Sequence, residues 1–302
     1  MIFITAFNCE KYIQECIVSV AEQSFQNISI ILVDDCSTDQ TYYVALQALE
    51  CLFPKRFTIK RNDTRIGKAG NAFLHLNGGE YVFCAILDGD DYLLDRNILK
   101  SFDEEYKRGY DVVWSNYRIL DGRVGDLIGH SAALNPLQSP RTQGWKTSHF
   151  FSFRYKLFGL IPKFYFTDSD GNWLKSACDQ AIAYPILDQT RRYRFINRVS
   201  YFYRTDNPNC HHNKANPGMI GLQLSSHQQR LNSKIVFSKP PLPLTFGLAD
   251  ANIPLQDFLD MEALSLAIRG DKAITLDQLQ TFLKLIKNQN PILYEEILKA
   301  MD

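Results

Sequence analysis

Three carboxylates crowd one glycine in Leu87-Asp88-Gly89-Asp90-Asp91, at the end of the apolar run 81–87. Carboxylates packed this closely repel one another unless a cation or hydrogen-bond donors sit among them. A hard divalent cation that also holds a substrate's phosphates is the economical reading. The competing reading is an Asp-Gly turn with a solvated acidic rim. A second acidic loop, Asp34-Asp35-Cys36-Ser37-Thr38-Asp39, follows the apolar run 28–33. Its side chains can cap the next helix or meet a ligand, and Asp39 reads mainly as a cap. Between the two loops, Arg61-Asn62-Asp63-Thr64-Arg65-Ile66-Gly67-Lys68 is polar and basic. Arg65 and Lys68 are placed to reach a phosphate, with plain surface solvation as the alternative.

Loops of this kind need strands to aim them. The first 116 residues alternate extended and helical patterns. Extended runs fall at 2–6, 28–33, 57–60, 81–87 and 111–116. Helical periodicity occupies 12–21, 40–51, 68–76 and 97–107 between them. Such alternation predicts an α/β fold, a mostly parallel sheet with helices on both faces. Ligands of open α/β sheets bind beyond the carboxyl ends of the strands, where both acidic loops would lie. From Tyr117 the pattern weakens. Asp121-Gly122 suggests a hairpin, and 134–145 a loop. The aromatic stretch 149–160 could form a helix lining a pocket, and 173–187 reads more clearly as one, kinked or ended by Pro185. Short strands are expected at 193–196 and 199–204, then a polar loop at 206–216 carrying His211-His212. Lys239-Pro240-Pro241-Leu242-Pro243 reads as a linker. Beyond it, 276–287 is amphipathic, with Thr275 and Gln278 in a capping-box pattern. Three units are therefore expected, 1–118, 119–238 and a linker with a C-terminal helical extension at 239–302.

Composition narrows the partners. The 33 basic and 33 acidic residues balance, so no field draws the chain to nucleic acid. Seven cysteines without a CxxC pair favour a reducing cytoplasm over a disulfide scaffold. No apolar run could span a bilayer, although peripheral attachment at the inner membrane face remains open.

Taken together, the motifs resemble family 2 glycosyltransferases of the GT-A fold, of the bacterial surface-polysaccharide kind. The resemblance rests on Phe7-Asn8-Cys9-Glu10 after the first strand, Val33-Asp34-Asp35-x-Ser37-Thr38-Asp39 and Asn62…Gly67…Asn71. Gly79-Glu80-Tyr81 before Leu87-Asp88-x-Asp90-Asp91 completes it. Two departures stand out: Cys36 where the family usually has glycine, and Ala69-Gly70 where an arginine commonly precedes the asparagine.

The resemblance implies an inverting sugar transfer from a nucleotide-sugar, expected to be UDP-linked, to a hydroxyl of a glycan or glycolipid. It places Asp35 on the nucleotide base, Asp88 near base or ribose, and Asp90 on Mn²⁺ or Mg²⁺. His211 or His212 would add a metal ligand from the late loop. Asp179 would be the general base, off the apolar stripe 174, 177, 178, 181, 182 and 185, with Asp168 and Asp170 as alternatives. Trp173, at the start of the same helical stretch, could offer an aromatic face to the sugar. The rivals are a sugar nucleotidyltransferase, and a silent sugar- or nucleotide-binding subunit acting through its C-terminal helices. The apolar face of 276–287 is expected to be buried within the protein, with self-association or peripheral membrane attachment as the alternatives.

Overall fold

The computed structural model describes residues 1–76, 78–136, 138–207 and 219–244, with Lys284, Lys287 and Glu295. Its strands are β1 (Ile2–Ala6), β2 (Ile30–Asp34), β3 (Phe57–Arg61), β4 (Phe83–Asp88), β5 (Tyr92–Leu93), β6 (Val112–Ile119), β7 (Phe151–Arg154) and β8 (Tyr193–Tyr203). The helices are α1 (Ile13–Ala21), α2 (Thr41–Leu52), α3 (Lys68–His75), α4 (Ile98–Lys107), the single turn α5 (Tyr155–Phe158), α6 (Cys178–Asp188) and α7 (Met219–Ser238).

All eight strands join one sheet in the order β3-β2-β1-β4-β7-β6-β8-β5. The predicted parallel half is present, with β1 pairing in parallel with β2 and β4, and β2 with β3. Side chains alternate across it as a two-residue period requires. Phe3, Val33 and Ile86 face one core with Ala69 and Ala72 of α3 and Ala181 and Ile182 of α6. Ile2, Ile4, Leu32 and Leu87 face the other with Ile13, Ile17 and Val20 of α1 and Phe102 of α4. Burial on both faces explains why β1 and β4 read as continuous apolar runs.

The second half departs from the sequence reading in three places. The stretch 149–160 is not one helix: it is the strand β7 followed by the single helical turn α5. β7 fills the slot between β4 and β6, antiparallel to both. Phe151 and Phe153 enter one core while Ser152 turns away, accepting the two-residue period over the helical one. α6 starts at Cys178, because Ala177 is left-handed (φ 54°) and Trp173 pairs across to Thr167 in an isolated bridge. Trp173 is therefore not on the helix, and Pro185 lies inside it. The two short strands are one, β8, parallel to β6 through irregularities between Ser115 and Tyr117.

The proline-rich segment is laid onto the domain. Lys239 Nζ donates to the carbonyls of Tyr165 (3.0 Å) and Thr167 (2.6 Å), and Tyr165 Oη donates to that of Pro240. Leu242 N donates to Asp188, a fully buried carboxylate that also takes a bidentate pair from Arg141. The amphipathic segment 276–287 lies outside the described residues except for Lys284 and Lys287. Among the described residues, no helix is long and apolar enough to cross a membrane.

Candidate active site

The carboxyl ends of β1, β2 and β4 open into a cavity of about 940 Å³. Asp35, Arg65, Lys68, Asp88, Asp90 and Asp179, residues from four separate stretches of the chain, all line it. His211 and His212 lie outside the described residues. Asp168 and Asp170 are not among the lining residues; Asp168 closes its own turn by accepting the amides of Asp170 and Asn172.

Asp34 and Asp35 divide their work. Asp34 is fully buried, and burial raises its pKa, with the Arg61 Nε at 3.2 Å countering. Asp35 folds the basic loop toward the cavity. Its oxygens accept Asn62 Nδ2 (2.8 Å), Ile66 N (2.9 Å) and Gly67 N (2.8 Å), and Asn62 also bonds Asn71 (2.8 Å). A carboxylate offers about four lone-pair sites, so Asp35 retains capacity for one ligand N–H. Cys36 stands at φ 68°, which explains a usual glycine there. Arg65, exposed, lies over the Phe7 ring at 3.8 Å beside the same cavity, a stack that no local pattern announces.

Lys68 opens α3 and reaches two carboxylates, Asp88 Oδ1 and Asp179 Oδ1, each at 2.6 Å. Burial works against its charge, but Asp179 and then Asp88 outweigh it, holding the ammonium well above an ordinary lysine pKa. The missing arginine before Asn71 has a steric cause. A Cβ at Gly70 would come within 2.5 Å of Ile66 Cγ2 and 2.9 Å of the Trp173 ring. Trp173 packs there, against Phe73 and beneath Lys163.

The acidic turn splits three ways. Asp88 faces Lys68. Asp91 is buried, accepting Tyr201 Oη (2.5 Å) and Arg204 N (2.7 Å). Asp90 faces the cavity, with Asn207 Nδ2 at 2.7 Å and Arg204 Nε on its main-chain oxygen. Burial, then the charge of Asp88, raise the Asp90 pKa, so a cation there would relieve a real electrostatic cost. Among the described residues no three His, Cys, Asp or Glu side chains form a ready cage. Carboxylate oxygens nevertheless fit a hard cation that keeps water and phosphate ligands.

Glycosyl transferase family 2 matches residues 1–170, more than half the chain. The fold is that of GT-A glycosyltransferases and the chain belongs to family 2; it is a nucleotide-sugar glycosyltransferase. Glycosyltransferase GlyG of Streptococcus pneumoniae is 26% identical over 212 residues, 67% of this chain and 69% of GlyG. The poly(ribitol-phosphate) β-N-acetylglucosaminyltransferase TarS of Staphylococcus aureus is 35% identical over 127 residues, 40% of this chain but only 21% of TarS. The structure of TarS 1–349 with UDP superposes with a TM-score of 0.52 at 18% identity, covering 88% of this chain and 78% of that one. The mannosyltransferase PcManGT of Pyrobaculum calidifontis, solved with GDP-Man and Mn²⁺, gives 0.50 at 16% identity, covering 99% and 83%.

Proposed function

We propose that the chain moves a sugar from a UDP-sugar to a hydroxyl of a glycan or glycolipid, inverting the anomeric carbon in one displacement. One observation carries this reading: a single cavity holds the Asp88–Lys68–Asp179 ion pairs together with Asp35 and Asp90. The UDP of the TarS complex and the Mn²⁺ of the PcManGT complex support the choice of nucleotide and cation.

In this reading residues 1–118 hold the donor and 119–238 the acceptor. Asp35 receives the base, Asp88 lies by the base or ribose, and Arg65 and Lys68 meet the diphosphate. Mn²⁺ or Mg²⁺ on Asp90, completed by His211 or His212, would neutralise the departing diphosphate. The acceptor oxygen bonds to the anomeric carbon as the carbon–phosphate-oxygen bond breaks, and Asp179 takes the hydroxyl proton. The six described cysteines are free thiols, in keeping with a reducing cytoplasm.

The test is nucleotide release from a panel of UDP-, GDP- and CDP-sugars with and without Mn²⁺. Release from a UDP-sugar is expected, lost in EDTA and in Asp90→Asn, whose thermal unfolding stays close to wild type because the side chain sits on a loop. Full turnover in EDTA would remove the metal, and silence toward the whole panel would remove the reading.

A further inference from the structure

Part of the cavity lining is aromatic. Trp145, His149, Tyr117 and Tyr203 line it, drawn from the 131–147 loop, the start of β7, and the ends of β6 and β8. His149 cannot be the platform for a ligand, since both its faces are taken. It stacks on Tyr201 and on Tyr203, each at 4.8 Å, and Tyr117 meets it edge-on at 5.2 Å. Tyr117 is itself buried. This leaves Trp145 and Tyr203, both half-buried, as rings with surface toward the cavity.

Trp145 is the better placed of the two. It lines the 940 Å³ cavity together with Lys68 and Asp179, and with both it also borders a crevice of only about 10 Å³, so the ring and the carboxylate are near neighbours. Behind it, Tyr184 of α6 supports the ring at 5.7 Å. α6 thus carries at its start the carboxylate and, one and a half turns on, the tyrosine that backs the tryptophan.

We infer that Trp145 is the platform for the acceptor and that the acceptor's terminal unit is a pyranose. An indole face suits the carbon-rich face of a sugar ring, as apolar and aromatic surfaces with a few convergent polar groups orient small ligands. A sugar laid on Trp145 from the cavity side would lie close to Asp179, as an acceptor that loses its hydroxyl proton there must. A polyol phosphate, by contrast, has no ring face and calls for cations.

The inference rests on the transferase reading, and the experiment separates the two. Nucleotide release from the donor is first measured with no acceptor, then with methyl glycopyranosides of glucose, galactose and N-acetylglucosamine, and with ribitol phosphate. At least one pyranoside is expected to accelerate release. Trp145→Ala should raise the KM for that pyranoside roughly ten-fold, Trp145→Phe much less, and the donor KM should move far less than the acceptor KM. Acceleration by ribitol phosphate alone, by no acceptor, or with an acceptor KM indifferent to Trp145→Ala would overturn the inference. A wild-type chain that neither binds nor consumes any sugar nucleotide would instead remove the transferase reading itself.

Discussion

Asp179→Asn is expected to lower kcat by roughly 10²–10⁴-fold, the usual scale for a lost acid–base group. Donor binding should change little, as isothermal titration with the nucleotide would check. Loss of donor affinity would instead make Asp179 a structural partner of Lys68, whose ammonium it meets at 2.6 Å. The same residue shows what the sequence could and could not convey. Residue type and order, read through the family resemblance, picked Asp35, Lys68, Asp88, Asp90 and Asp179 as candidates, and all five line one cavity. They did not predict that Lys68 would bridge two of those carboxylates, because a contact across 111 residues leaves no local pattern. Asn207 on Asp90, and Tyr201 and Arg204 around Asp91, were invisible for the same reason.

Elements were legible where one period dominated. α1, α2 and α4 have apolar stripes on one face, and β1, β2 and β4 are largely apolar runs, so pattern and environment agree. The stretch 149–160 is aromatic at nearly every turn and fits either period; the open slot between β4 and β6 decides it. At 173–177 helical spacing is real but overridden, since Trp173 is held by Gly70 and Phe73. That interface yields a prediction. In α3, Gly70→Ala gains about 1 kcal/mol of helix propensity. It must also displace Ile66 and the Trp173 ring, and such overpacking costs typically ~1–3 kcal/mol. Net destabilisation in urea unfolding is therefore expected, and Gly70→Arg should lose more. A Gly70→Ala chain more stable than wild type would show that Trp173 moves aside freely.

At the scale of the whole molecule, the proline-rich segment behaves as a strap across α6 and the Tyr165 loop. A chain ended after Leu244 keeps the Lys239, Pro240 and Leu242 bonds and the buried Leu244, and is the reference against which the strap is measured. Ending it after Ser238 removes them all and exposes Asp188 to loss of one donor. A drop of several degrees by differential scanning calorimetry is expected, at about 2–4 °C per kcal/mol for a domain of this size. Equal Tm values for the two would reduce the strap to a tether. The fastening of Asp91 by Tyr201 and Arg204, 110 and 113 positions downstream, has a consequence for biosynthesis. Local pairings form readily, whereas β8 must slot between β6 and β5 after nearly all of this sheet has been made. A nascent chain leaving the ribosome can assemble β1, β2 and β4 early and still lack the anchors of its acidic turn. The acidic turn is then anchored in one late step, when Tyr201 and Arg204 reach Asp91.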